Sequence, residues 1–125
     1  MTFKRDKIKY IRDRAKARYK KGTACFICDT DQNLEFHHYH TLTPLFNKWV
    51  LTNKIDVSTE EALLAVRDRF ISEHESELYE ETVTLCKSHH MKLHSLYGKD
   101  PPLATAEKQK RWASIQREKN GLTME

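Results

Sequence analysis

The nine residues Cys86-Lys87-Ser88-His89-His90-Met91-Lys92-Leu93-His94 constrain this chain more than any other stretch, because they set one cysteine and three histidines at spacings that suit two different metal ions. Cys86 and His89 stand in the C-x2-H relation of a zinc knuckle, whereas His90 and His94 are four apart and share one face of a helix. Upstream, Cys25-Phe26-Ile27-Cys28 is a second knuckle. Leu34, Phe36 and His38 alternate with Glu35 and His37, which predicts a short strand ending at a histidine pair.

A structural zinc ion wants four soft or borderline donors in a tetrahedron, supplied in pairs by two short loops. Cys25, Cys28, Cys86 and His89 meet that requirement, with His90 as the alternative fourth ligand. Such an ion ties the start of the domain to its end and contributes folding free energy, a common supplement to the modest core of a chain of 125 residues. Three cysteines cannot all pair within one chain. With no secretory pattern and no apolar run of eighteen residues, the expectation is an intracellular protein with no membrane span, its cysteines used for metal rather than disulfides. A redox role for C-x2-C is disfavoured, since nothing near Cys25 has the pattern of a thioredoxin-like βαβ unit.

The net charge of +4 conceals an asymmetry. Residues 1–22 carry ten Lys or Arg against Asp6 and Asp13, giving +8, while residues 51–81 carry three against nine acids, giving −6. A polyanion would be steered to the N-terminal segment, helped by Lys108, Lys110, Arg111, Arg117 and Lys119; a solvated helix face is the bland reading of the same run.

Few glycines and prolines predict a helix-rich α+β domain. Ile8, Ile11, Ala15 and Tyr19 predict a basic amphipathic helix over 5–21, stopped by Gly22. Thr43-Pro44 predicts the start of a helix bearing Leu45, Phe46, Trp49 and Val50, and Ser58-Thr59-Glu60-Glu61 has the form of a capping box before a helix reaching the mid-seventies. His74 on that helix is expected to be an ordinary core histidine. Thr82 to Leu85 alternates as a strand, His89 to Tyr97 reads as a helix closed by Gly98, and Thr105 to Lys119 as a last helix placing Trp112 and Ile115 three apart. The chain thus divides into a basic helix (1–22), a knuckle and first strand (23–42), a helical insert (43–81), a second strand and metal helix (82–98) and a C-terminal helix and tail (99–125).

With His89 assigned to zinc, His37, His38, His90 and His94 are left over, too many to be satisfied core residues. Phosphodiester cleavage needs a cation to stabilise developing negative charge and a neutral base to take a proton from water, and a histidine pair on a strand could divide those tasks. Leu34-Glu35-Phe36-His37-His38-Tyr39 followed by Leu85 to His94 resembles the HNH endonucleases, whose ββα-metal core is often braced by zinc. The resemblance covers about a quarter of the chain. It implies that His37 and His90 bind a catalytic divalent cation such as Mg2+, Mn2+ or Ni2+. It implies further that His38 is the general base, that His94 binds the metal or the scissile phosphate, and that Cys25, Cys28, Cys86 and His89 hold structural zinc. Duplex DNA would be the substrate, gripped by the basic terminal helices and cut to a 5′-phosphate and a 3′-hydroxyl, in a phage or bacterial setting.

One departure from the pattern stands out. The family's central asparagine, expected about five residues before Cys86, is replaced by Glu81-Thr82, and the candidates for its task of orienting the base are Thr82, Glu81, Asn47 and Asn53. That departure motivates the rival reading, a catalytically silent zinc module that binds nucleic acid or a partner protein. His40 is expected in the loop after the strand, Glu35 is expected at an exposed edge although it shares the parity of His37, and Tyr97 and Trp112 are expected to pack rather than stack on bases.

Overall fold

The computed structural model describes residues 6–122; Lys4, Arg5 and the end of the C-terminal tail lie outside them. Along the described chain come α1 (Lys7–Lys16), β1 (Leu34–His38), α2 (Leu42–Asn53), α3 (Glu60–Glu73), a π-helical turn (Ser76–Glu80), β2 (Thr82–Cys86), α4 (Lys87–Tyr97), a 3-10 turn (Leu103–Thr105) and α5 (Ala106–Lys119). The class is α+β, with one two-stranded antiparallel sheet among the described residues.

β1 and β2 pair from Leu34 opposite Cys86 to His38 opposite Thr82. Because side chains alternate along a strand, this register sends Glu35 and His37 to the face covered by α4 and sends Phe36 and His38 to the other. β2 runs directly into α4 with Cys86 as the N-cap residue. The first knuckle is laced onto β2: Cys25 N–H donates to Thr30 O at 2.8 Å and Phe26 N–H to Thr84 O at 2.9 Å. Asp29 (φ 63°) and Asn33 (φ 52°) turn the chain through the left-handed region, which short polar side chains tolerate.

Several boundaries differ from the sequence expectation. α1 stops at Lys16, so Gly22 is not its terminator; Gly22 instead donates its N–H to Thr84 Oγ1 at 2.6 Å, and a Cβ there would meet that oxygen at 3.2 Å. Tyr19 leaves the helix because a better partner is at hand: its ring stacks on Phe36 with centroids 4.4 Å apart. α2 begins at Leu42, two residues before the expected Pro44, which sits in the first turn where a missing N–H costs nothing. Thr59 rather than Ser58 caps α3, accepting from Ala62 N–H at 3.1 Å, since the Ser58 hydroxyl is engaged by Asp56. On α5 the buried residues are Ala106, Gln109 and Ala113, while Ile115 is exposed.

The apolar side chains gather in two clusters. Ile8, Ile11 and Ala15 of α1 pack with Leu45, Phe46 and Trp49 of α2 and Leu63 and Phe70 of α3. Cys25, Ile27, Leu85, Cys86, Leu93 and Ala113 form the other, joined at its edge by Tyr97 and Trp112. His74, expected in the core, is half-buried at the C-terminal cap of α3, where its hydrogen-bonding is nonetheless satisfied, with Nδ1 2.7 Å from Phe70 O and its ring 4.4 Å from the Phe70 ring.

The charge asymmetry is partly resolved within the molecule. Arg14 reaches Asp68 at 3.1 Å, and Arg18 makes a two-pronged pair with Glu75 at 2.8 and 2.9 Å while lying 4.2 Å over the Tyr79 ring. The basic helix and the acidic insert are therefore partners, and only part of the positive run faces outward. No described helix is long and apolar enough to cross a membrane.

Candidate functional site

α4 carries ligand-type side chains toward two different neighbours, and its helical period separates them. His89 turns to the knuckle: its Nδ1 lies 3.3 Å from Cys86 Sγ and 3.9 Å from Cys25 Sγ, and Cys28 Sγ is 3.9 Å from Cys86 Sγ. All four donor atoms fall within 4.8 Å of one another, and the cysteines are not disulfide-bonded. Tetrahedral zinc with bonds of about 2.3 Å to sulfur and about 2.0 Å to nitrogen separates its donors by roughly 3.5–3.8 Å, so these four could hold it. Burial opposes ionisation of Cys25, but backbone amides of Cys86, Cys28 and Ile27 outweigh it and hold that thiol below its ordinary value. Burial pushes the Cys28 thiol up, and the neighbouring Cys25 adds to the rise. Zinc takes cysteine as thiolate and histidine as the neutral imidazole, and burial, then Lys92, lowers the pKa of His89, which favours that neutral form.

His90 and His94, one turn apart, face β1 instead. His37 Nδ1 lies 3.1 Å from His90 Nε2, which lies 3.0 Å from His94 Nε2. The opposite nitrogen of each ring meets an oxygen acceptor at 2.8 Å: Gln109 Oε1 for His37, Glu35 Oε1 for His90 and Gly98 O for His94. A neutral imidazole has one N–H, and these acceptors claim it. Three lone pairs are left converging on one another with no proton to share, an arrangement that a cation relieves. Adjacent donors on a six-coordinate ion with bonds of about 2.1 Å are roughly 3.0 Å apart, close to the two observed separations. The three histidines therefore fit a divalent cation.

His37 is only 3 % exposed, and burial is the main reason its pKa is pushed down to about 3, with His90 and His94 adding to the effect against the Gln109 hydrogen bond. His38, on the opposite strand face, packs edge-on against Tyr19 and Phe36 at centroid distances of 4.6 and 5.0 Å. Its Nε2 is buried without a hydrogen-bond partner among the described residues. Burial, then His40, pushes its pKa down to about 4. Both members of the pair nonetheless line one cavity of about 210 Å³, together with His90, His94, Arg12 and Lys99.

None of the candidates for the asparagine's place hydrogen-bonds His38. Thr82 sits opposite it in the ladder but turns its hydroxyl to Tyr79 O at 3.4 Å; Glu81 pairs with Lys110 at 2.5 Å; Asn53 donates to Trp49 O; and Asn47 is exposed on α2. Aromatic packing by Tyr19 and Phe36 holds the ring instead. His40 lies in the loop after β1, as expected.

Glu35 is not a bare edge residue, because its carboxylate is taken by His90; the parity it shares with His37 was the signal. Gln109 was missed. It is the most buried polar side chain described, at 0 % exposure, and its place between Ala106 and Ala113 on the helical stripe of α5 could have flagged it.

No solved structure matches the chain. The family model for nicking endonucleases of the phage T5 type matches residues 1–123, nearly the whole chain, and the protein belongs to the nicking endonuclease family.

Proposed function

We propose that this DNA endonuclease works by metal-assisted hydrolysis in a ββα site of the HNH kind, formed by β1, β2 and α4, and cuts one strand of a duplex per encounter. The observation that carries the reading is the convergence of His37 Nδ1, His90 Nε2 and His94 Nε2, each with its other nitrogen occupied by an acceptor, beside the unpartnered Nε2 of His38. Bound there, a divalent cation supplies electrostatic stabilisation of the charge that develops on the phosphorane and the leaving 3′-oxygen. His38, kept neutral by burial, takes the proton of the attacking water at Nε2. Arg12 and Lys99, in the same cavity and without an ion pair among the described residues, draw in the flanking phosphates. Cys25, Cys28, Cys86 and His89 hold zinc, which anchors the start of α4 and so aims His90 and His94.

One such histidine cluster occurs among the described residues, consistent with one cut per encounter. Family membership sets aside the catalytically silent alternative. Plasmid nicking with Mg2+, Mn2+ or Ni2+ tests the mechanism: His38→Ala is expected to lower the rate about 10²- to 10⁴-fold while cation affinity stays put. Equal nicking by both proteins would remove His38 from the reaction.

A further inference from the structure

Gln109 belongs to α5, the element farthest along the chain from β1, yet it is the side chain that meets His37. Its amide can be oriented from the hydrogen bonds alone. Tyr39 O, a carbonyl, can only accept, and it lies 3.3 Å from Gln109 Nε2, so the amide group must point that way; the same nitrogen also donates to Thr105 Oγ1 at 2.9 Å. Oε1 is therefore the atom 2.8 Å from His37 Nε2, and His37 must donate to it. The lone pair of His37 is then at Nδ1, which faces His90. Which nitrogen of His37 can bind a cation is thus decided by a carbonyl two hydrogen bonds away.

We propose that Gln109 is a positioning residue that fixes the tautomer and ring plane of His37, and that this makes docking of α5 and binding of the divalent cation mutually dependent. The inference rests on the histidine cluster being the cation site. Its physical content is linkage: if α5 must be docked for His37 to present Nδ1, then a bound cation must strengthen α5 docking by the same free energy. Gln109 has no substitute for this among the described residues, since Lys110 is held by Glu81 and Glu107 and Thr105 is already bonded to Gln109 itself. Further contacts of α5, among them Arg117 Nη1 donating to Phe26 O at 2.6 Å, the Tyr97 hydroxyl donating to Lys108 O at 3.2 Å and Ala113 in the second apolar cluster, secure the helix without touching the histidines.

The test compares the full chain with Gln109→Met, which keeps the length and loses the acceptor, Gln109→Glu, which keeps an acceptor, and Thr105→Val, which loosens the amide without touching His37. Mn2+ affinity is read by calorimetry, and amide hydrogen exchange of 106–119 with and without Mn2+. The expected result is a 10- to 100-fold weaker affinity for Gln109→Met and a smaller loss for Thr105→Val. Gln109→Glu should bind more tightly than Gln109→Met. In the wild-type chain Mn2+ should slow exchange across α5, and in Gln109→Met it should not. A merely structural role would lower stability equally with and without the cation and leave the Mn2+ affinity of the folded variant unchanged; that outcome, in either Gln109→Met or Thr105→Val, overturns the proposal. His90→Ala separates the two levels. If it binds Mn2+ as the wild type does, the cation site itself is misplaced and the proposal falls with it; if it loses Mn2+ while Gln109→Met retains it, only the role of Gln109 is overturned.

Discussion

His37 and His38 are adjacent in sequence, face opposite sides of one strand, and are both held neutral by burial, which has a consequence for stability. Their pKa values, about 3 and about 4, lie below the ordinary histidine value of roughly 6.5 that the unfolded chain restores. Between those limits the unfolded state binds more protons, so both contributions are complete above about pH 6.5 and are lost as pH falls, toward about 4 for His38 and toward about 3 for His37. Without added divalent cation, urea unfolding at pH 7, 6 and 5 should show stability falling by at most about 2.7 kcal/mol per pH unit in the steep region. His38→Phe should halve that slope, and an unchanged slope would show that His38 is not neutral by burial. The types of these residues were legible in the sequence, as were their directions on the strand. The partners that matter were not: Glu35 was one residue among several acids until α4 brought His90 to it, and Gln109 lies far along the chain from the histidine it meets.

α1 shows how a helix can carry one charge pattern and serve two ends. Arg14, with Arg18 just past the helix end, is spent on the acidic insert, on Asp68 and Glu75 respectively, whereas Arg12 lines the histidine cavity with Lys99. Arg12→Ala should therefore weaken DNA binding and reduce the slope of log K against log salt by about 1, while Arg14→Ala leaves that slope nearly unchanged. Equal slopes for the two variants would restore the uniform polyanion-binding face that charge counting alone implies. The knuckle makes a second prediction. Zinc binding in small structural sites is worth about 10–16 kcal/mol in apparent free energy, comparable to the whole stability of many domains, so if Cys25, Cys28, Cys86 and His89 hold zinc as proposed, stripping it should unfold at least the knuckle and α4. Far-UV circular dichroism followed during chelation, with zinc release measured at one equivalent per chain, checks it. The existence of the five described α-helices and two strands was readable from the sequence pattern, with β1, β2 and α4 close to where it placed them, but the π-helical turn Ser76–Glu80 and the 3-10 turn Leu103–Thr105 were not. The starts of α2 and α3 differ from that pattern for different reasons: Thr41, the residue before α2, gives its hydroxyl to the distant Pro101 O at 2.6 Å and makes no side-chain cap, whereas Ser58 is held by its near neighbour Asp56 and leaves the capping of α3 to Thr59.

Across the molecule, the two apolar clusters divide the labour. α1, α2 and α3 close around Phe70, whose ring lies 5.1 Å from Phe46 and 5.4 Å from Trp49, and the knuckle, β2, α4 and α5 close around Leu85 and Leu93. Phe70→Ala removes a fully buried ring and should cost about 3–5 kcal/mol in chemical denaturation. If zinc holds the other cluster together, that variant should retain its metal up to the unfolding transition. Early loss of zinc would mean that the clusters fold as one unit.

What the sequence determined by itself is local. Two-residue gaps bring paired knuckle ligands together, a four-residue gap puts His90 and His94 on one helical face, and alternation sets His37 and His38 apart, because each follows from the repeat of the backbone over a few residues. What only the tertiary structure decided is long-range. It sorted His89 to the cysteines and His90 to His37, matched basic α1 to acidic α3, left Arg12 rather than Arg14 at the cavity, and drove Gln109 against His37. Those choices depend on how helices pack across a sheet, and no spacing along the chain records which faces will meet.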